Sequence, residues 1–139
     1  MVQLIVGNKG KGKTKCLLDK VNTEVKNILG NIVYLDKSTD HMYELNNRIR
    51  LISVPDFDIK TTEEFIGFVM GIISQDHDLE QMDFDSFLVI SDLKDKDISD
   101  TVKRIESISK KFGVDFVLSV SLDESDIPDD IKPMIAISL

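Results

Sequence analysis

Residues 7–14 read Gly7-Asn8-Lys9-Gly10-Lys11-Gly12-Lys13-Thr14, which fits the pattern G-x-x-x-x-G-K-[ST] at every fixed position. Each position has a chemical reason. The glycines let the backbone wrap tightly, so that successive N–H groups point into one concavity. A helix that follows adds its unpaired N–H groups and the positive end of its dipole. Lys13 then reaches the outer phosphates of a bound nucleotide, and the Thr14 hydroxyl binds Mg²⁺. The spacing therefore predicts a phosphate cradle built from residues 7–14, with Thr14 as a metal ligand. The ammonium groups of Lys9, Lys11 and Lys15 fit solvated charges better than direct ligands. Cys16, on the first turns of the helix, belongs to this region by position. Its apolar neighbours suit a buried filler rather than a reactive thiol.

A cradle of this kind needs a strand before it and a helix after it. Val2–Val6 is a short apolar run of the sort that forms a buried strand. Leu17, Leu18, Val21, Val25, Ile28 and Leu29 form one stripe, so a helix is predicted over residues 13–29 with Gly30 as its stop. Ile32–Leu35 reads as a second strand closed by Asp36, residues 37–47 as a loop or frayed helix, and Arg50–Val54 as a third strand. Thr61 and Glu64 have capping-box spacing, and the helix they open is apolar over much of its surface. Within it, Gly67 and Gly71 would allow a close backbone approach. Residues 75–85 read as an acidic, solvent-facing connection, and Phe87–Ile90 as a fourth, wholly apolar strand. A helical stripe over Ile98–Phe112 ends at Gly113. Phe116–Val120 is the fifth strand, residues 123–130 an acidic loop facing solvent, and Met134–Ser138 the sixth strand. Apolar strands alternating with helices predict an α/β fold in three layers, α/β/α, around a mostly parallel sheet of five to six strands.

The 139 residues show no repeat and no linker-like stretch, so residues 1–139 are read as a single domain. Hydrophobic residues make up 42% and charged residues 30%, which excludes global disorder. No window approaches a membrane span, and Met1 runs into the first strand without the basic segment of a secretory signal. With a single cysteine there is no disulfide framework, and a cytoplasmic location is the expectation. The net charge of −8 argues against nucleic acid as a partner. The charge is uneven, however. Residues 1–26 carry a local balance of +4 and residues 76–100 one of −7, so a polyanion belongs at the basic end.

With its Walker A motif at Gly7–Thr14, the chain resembles the P-loop NTPases. Ile32-Val33-Tyr34-Leu35-Asp36, Leu51-Ile52-Ser53-Val54-Pro55-Asp56 and Lys103–Ser121 look most like the core of the RecA/DnaB-type ATPases. The resemblance implies a strand order of 3-2-4-5-1-6, with ATP or another NTP and Mg²⁺ as cofactors. It further implies a Walker B carboxylate at the end of the fourth strand and a second carboxylate past the second strand, as well as an arginine that is sometimes supplied by a neighbouring subunit. The N-terminal half is also similar to thymidine kinases, although their zinc-binding cysteines and lasso are absent.

Set against that pattern, the hydrolytic machinery reads as incomplete. If Phe87–Ile90 is the Walker B strand, Ser91 stands where the family has Asp, and Asp92 comes one residue late. Asp92 is then the candidate metal-side carboxylate and Asp36 the candidate catalytic one, beside Lys13. No glutamine stands near Val120 to act as sensor. The arginines are Arg48, Arg50 and Arg104. The expected function is Mg²⁺-dependent NTP binding, with hydrolysis that is slow or depends on a protein partner or a homo-oligomer. The alternatives are a degenerate binding or regulatory module without turnover and a small-molecule kinase.

Overall fold

The computed structural model describes residues 1–139. Six strands make one sheet: β1 (Val2–Val6), β2 (Asn31–Asp36), β3 (Ile49–Ser53), β4 (Leu79–Phe84), β5 (Asp115–Val120) and β6 (Ile135–Ser138). Their order is β3-β2-β4-β5-β1-β6, and every pairing is parallel. Four α-helices cover it: α1 (Lys13–Glu24), α2 (Thr62–Ser74), α3 (Phe87–Ile90) and α4 (Ser99–Phe112). Two separate cores show the layering. On one face Ile5, Ile32, Tyr34 and Val117 pack against Leu17, Leu18 and Val21 of α1. On the other, Leu4, Leu35, Phe84 and Leu118 pack against α2, α3 and α4. The result is the three-layer α/β fold, an arrangement compatible with P-loop and other Rossmann-like proteins. Because helices bury the central strands on both sides, β1, β2 and β5 read as largely apolar runs.

One element differs in kind from the sequence reading. Phe87–Ile90 is not a strand but the short helix α3, and the fourth strand is Leu79–Phe84, inside the stretch read as an acidic connection. A short apolar run cannot be told from a buried helical turn by periodicity alone. Packing decides it here. Ser86 takes a left-handed backbone, φ 53°, which turns the chain back over the sheet. Phe87 then lies parallel to Phe84, centroids 6.2 Å apart, and Phe65 of α2 meets Phe84 edge-on at 5.2 Å. Strand β4 was disguised by the polar residues on its α1-facing side. Gln81 and Asp83 are buried there, and the Gln81 amide donates to Asp83 Oδ1 at 3.0 Å and to Glu24 Oε1 at 3.3 Å. Burial pushes the Asp83 carboxyl well above the usual carboxylate range.

Helix α1 is also shorter than its stripe. It stops at Glu24 and passes through a 3₁₀ turn, Val25–Asn27, before Leu29 emerges fully exposed. The Arg48 guanidinium closes this end, donating to the carbonyls of Val25 and Ile28, both at 2.8 Å. Gly30 follows where the backbone passes close to β4. A Cβ there would stand 2.1 Å from the Asp78 carbonyl oxygen. Gly30→Ala is accordingly expected to cost about 1–3 kcal/mol, read as a lowered urea midpoint with an unchanged slope. The capping box of α2 forms as its spacing predicts. Thr61 Oγ1 accepts from the Glu64 N–H at 3.1 Å, and Glu64 Oε1 accepts from the Thr61 N–H at 3.0 Å. Gly67 and Gly71, expected at a close approach, instead face open space. No helix is long and apolar enough to cross a membrane.

Candidate functional site

The loop between β1 and α1 lies at the carboxyl end of the sheet, on the strand between β5 and the edge strand β6. Gly10 and Gly12 both have φ 88°, a left-handed conformation that disfavours any side chain. A Cβ at either would meet nothing within 4 Å, so it is the backbone, not crowding, that requires glycine here. Gly12 is the N-cap of α1. No side chain caps this end, and its first turn carries no acidic residue. The first-turn N–H groups and the dipole therefore face the loop uncompensated.

Lys13 is buried, and its ammonium donates to the Asn8 carbonyl at 3.2 Å, across the loop. Burial holds its pKa below the usual lysine value, against the opposing pull of Asp85. Such a cation has much to gain from an arriving anion. Lys9, Gly10, Gly12, Lys13 and Thr14 line a cavity of about 720 Å³. Gly7, Asn8 and Lys11 stand behind them, and the Asn8 carbonyl also accepts from the Lys11 N–H at 3.2 Å. Cys16 is half-buried against the α1-side core and does not line the cavity.

The carboxylate that meets this loop is Asp85, one residue past β4. Thr14 Oγ1 donates to Asp85 Oδ1 at 3.2 Å, and the Ser86 N–H donates to the same oxygen at 2.9 Å. The Tyr34 hydroxyl, fully buried on β2, donates to Asp85 Oδ2 at 2.8 Å. Burial, then the charge and hydrogen bond of Asp85, push the Tyr34 phenol far above its ordinary value, so it remains a donor. Asp85 is thus fixed from both of its oxygens. Sequence reasoning missed it because it was assigned to a solvent-facing connection. The only signal was weak: Met82 and Phe84 two apart, followed by the carboxylate of Asp85.

The expectation placed on Asp92 is corrected accordingly. Asp92 is exposed in the turn after α3, has φ 57°, and pairs with Lys96 at 3.3 Å. Ser91 is completely buried, its hydroxyl donating to the Phe87 carbonyl at 2.6 Å. Neither stands at a strand end.

Asp36 does lie beside this group. It closes β2 and is 2% exposed, and its Oδ1 accepts from the Lys37 N–H at 2.7 Å. Its Oδ2 is buried with no partner. Burial first, and the neighbouring charge of Asp85 second, raise its pKa to about 6. A carboxyl poised there can accept a proton near neutral pH. At the end of β5, Ser119 and Ser121 line the cavity, at the place where the resemblance implies a sensor glutamine.

The arginines, His41 and the loop 123–130 do not line the cavity. Arg48 closes α1, and Arg104 pairs with Glu63 at 2.7 Å between α4 and α2. Arg50 is exposed on the edge strand β3. His41 pairs with Glu44, which raises its pKa. The loop 123–130 is turned outward for the most part, with Asp130 bound to Lys103 and Ser99 and Asp129 to Lys132. No protein-family model matches the chain, and no curated protein matches it.

Proposed function

We propose that this protein binds a Mg²⁺–nucleoside triphosphate, ATP being the expected form, in the manner of a P-loop NTPase. The observation that carries the reading is the Thr14–Asp85 hydrogen bond. It joins a glycine loop, an uncapped helix N-terminus and a carboxylate from the second strand over, which is the set of groups a metal-bound polyphosphate requires. Lys13 and the N–H groups of residues 9–14 would hold the phosphates. Thr14 and Asp85 would hold the Mg²⁺, which when bound neutralises phosphate charge. The donor set fits a hard cation, since every candidate ligand is oxygen.

Asp36 does not itself line the cavity, but it lies beside Asp85 with one buried oxygen unpartnered, and on this reading it would accept the proton of an attacking water once the site is loaded. No arginine lines the cavity, so wild-type turnover in isolation is expected to be slow and to rise with a partner that supplies one. The case for a module without turnover rested on Ser91 in place of a metal-side aspartate. Asp85 beside Thr14 supplies a carboxylate where Ser91 offers none, which favours turnover over a module without it.

The reading is tested by isothermal titration of ATP, GTP and ADP in the presence of Mg²⁺, coupled to a phosphate-release assay. One-to-one binding is expected. Lys13→Ala, which removes a charge-assisted contact, should weaken it about 10- to 100-fold with the fold intact. Equal affinity in wild type and Lys13→Ala would remove Lys13 from the site, and no binding of any nucleotide would overturn the proposal.

A further inference from the structure

The cavity extends past the phosphate loop, and its far lobe has its own character. Lys37 enters it from the end of β2, and Lys94 and Lys96 enter from the turn after α3. Leu88, Val89 and Leu93 supply an apolar wall beside them. Val89 is 55% exposed, a large aliphatic side chain left open at the mouth. Over the whole cavity, five lysines face two carboxylates, Asp85 and Asp95, in a chain whose net charge is −8. Neither Lys37 nor Lys94 makes an ion pair, and Lys96 shares its charge with Asp92. A positive cleft in an acidic protein concentrates anions.

Lys13, the loop N–H groups and the metal already answer the charge of one triphosphate. Lys37, Lys94 and Lys96 come from elements other than the loop and leave charge for a second anion, and the apolar wall suits an apolar body rather than a phosphate chain. Charged groups converging beside an apolar wall suit a small anion with an apolar body, and the loop and this wall share one cavity of about 720 Å³.

We infer that the lobe between Lys37 and Lys94 binds a second ligand, a small organic anion bearing a phosphate or carboxylate group and an apolar body, next to the nucleotide. The inference rests on the nucleotide reading of Gly7–Thr14, and the experiment separates the two. The chain is first saturated with Mg²⁺ and the non-hydrolysable β,γ-imido analogue of ATP, whose affinity is recorded. Phenyl phosphate is then titrated in, with inorganic phosphate as the comparison, and followed by calorimetry or amide chemical shifts.

One-to-one binding of phenyl phosphate, tighter than inorganic phosphate, is the expected result. The double variant Lys37→Ala/Lys94→Ala should weaken it at least about tenfold while leaving affinity for the analogue within about threefold. Absence of phenyl phosphate binding to the loaded protein would overturn the inference. So would a parallel tenfold loss of affinity for the analogue, because the lysines would then serve the nucleotide's own phosphates. If the analogue itself does not bind, the nucleotide reading fails on its own. Phenyl phosphate titrated into the unloaded protein then decides the lobe: binding that falls in the double variant supports an anion site there, and binding that does not fall removes it.

Discussion

Asp85→Asn is expected to reduce nucleoside triphosphate turnover by about 10²–10³ and to raise the Mg²⁺ concentration needed for half-maximal nucleotide binding about tenfold. The substitution keeps the shape of the side chain but removes the charge that faces Thr14 and the proposed metal position. Asp85 is buried and accepts from Thr14, Ser86 and Tyr34, so a urea midpoint is measured alongside to separate a lost charge from a lost fold. Asp92→Asn is the contrast. Its carboxylate is exposed and bound only to Lys96, so turnover and Mg²⁺ dependence should stay within about twofold of wild type. Ser91→Asp gives a third, opposite signature. It puts an unpaired carboxylate into a fully buried position and should destabilise the fold on the order of 3 kcal/mol, without improving metal binding. If Asp92→Asn lowers turnover and Asp85→Asn does not, the site has been built on the wrong carboxylate.

Asp36 should withdraw stability from the nucleotide-free protein as pH rises from about 4 through 6. Its folded pKa is about 6 against an ordinary value of 3.8. Below pH 4 the carboxyl is protonated both folded and unfolded, and the folded state carries no penalty. As pH rises the unfolded chain ionises first, while the folded chain retains its proton until about pH 6. Each pH unit between the two values therefore withdraws about 1.4 kcal/mol, and the loss levels off above pH 6 on the order of 2–3 kcal/mol. Asp36→Asn abolishes the titration. It should match wild type near pH 3.5 and exceed it by about that margin at pH 7.5, as measured by urea unfolding at both pH values. Taking the difference between the two proteins removes the contribution of Asp83 and other carboxyls common to both. A difference that does not change with pH would show that Asp36 is solvated in the folded state. The same variant should lose phosphate release, a gain in stability at the expense of the proton acceptor.

The glycine loop proposed to hold phosphate was legible in the sequence because its requirements are contiguous. Eight residues set the backbone freedom, the cation and the hydroxyl, and the flanking strand and helix carry their own periodicity. The α/β layering was legible for a similar reason, since β1, β2 and β5 are apolar on both faces and could only be central strands. Caps were local too, as Thr61 and Glu64 illustrate. What decides the chemistry opposite the loop is not local. Thr14 and Asp85 are 71 positions apart, and Tyr34 and Asp85 are 51 apart. Which of nine acidic residues in 76–100 meets Thr14 depends on where β4 ends. That in turn depends on Phe87 stacking over Phe84 in a helix, where the run Phe87–Ile90 alone looks like a strand. The same holds for Asp36. Its type and place at a strand end could be read from the chain, but its raised pKa comes from burial and the charge of Asp85, which exist only once β2 and β4 lie side by side. Short-range preferences set the elements that carry their own signal. Packing across the sheet, through buried area and the pairing of buried charge, selected among the residues whose local signals were equal.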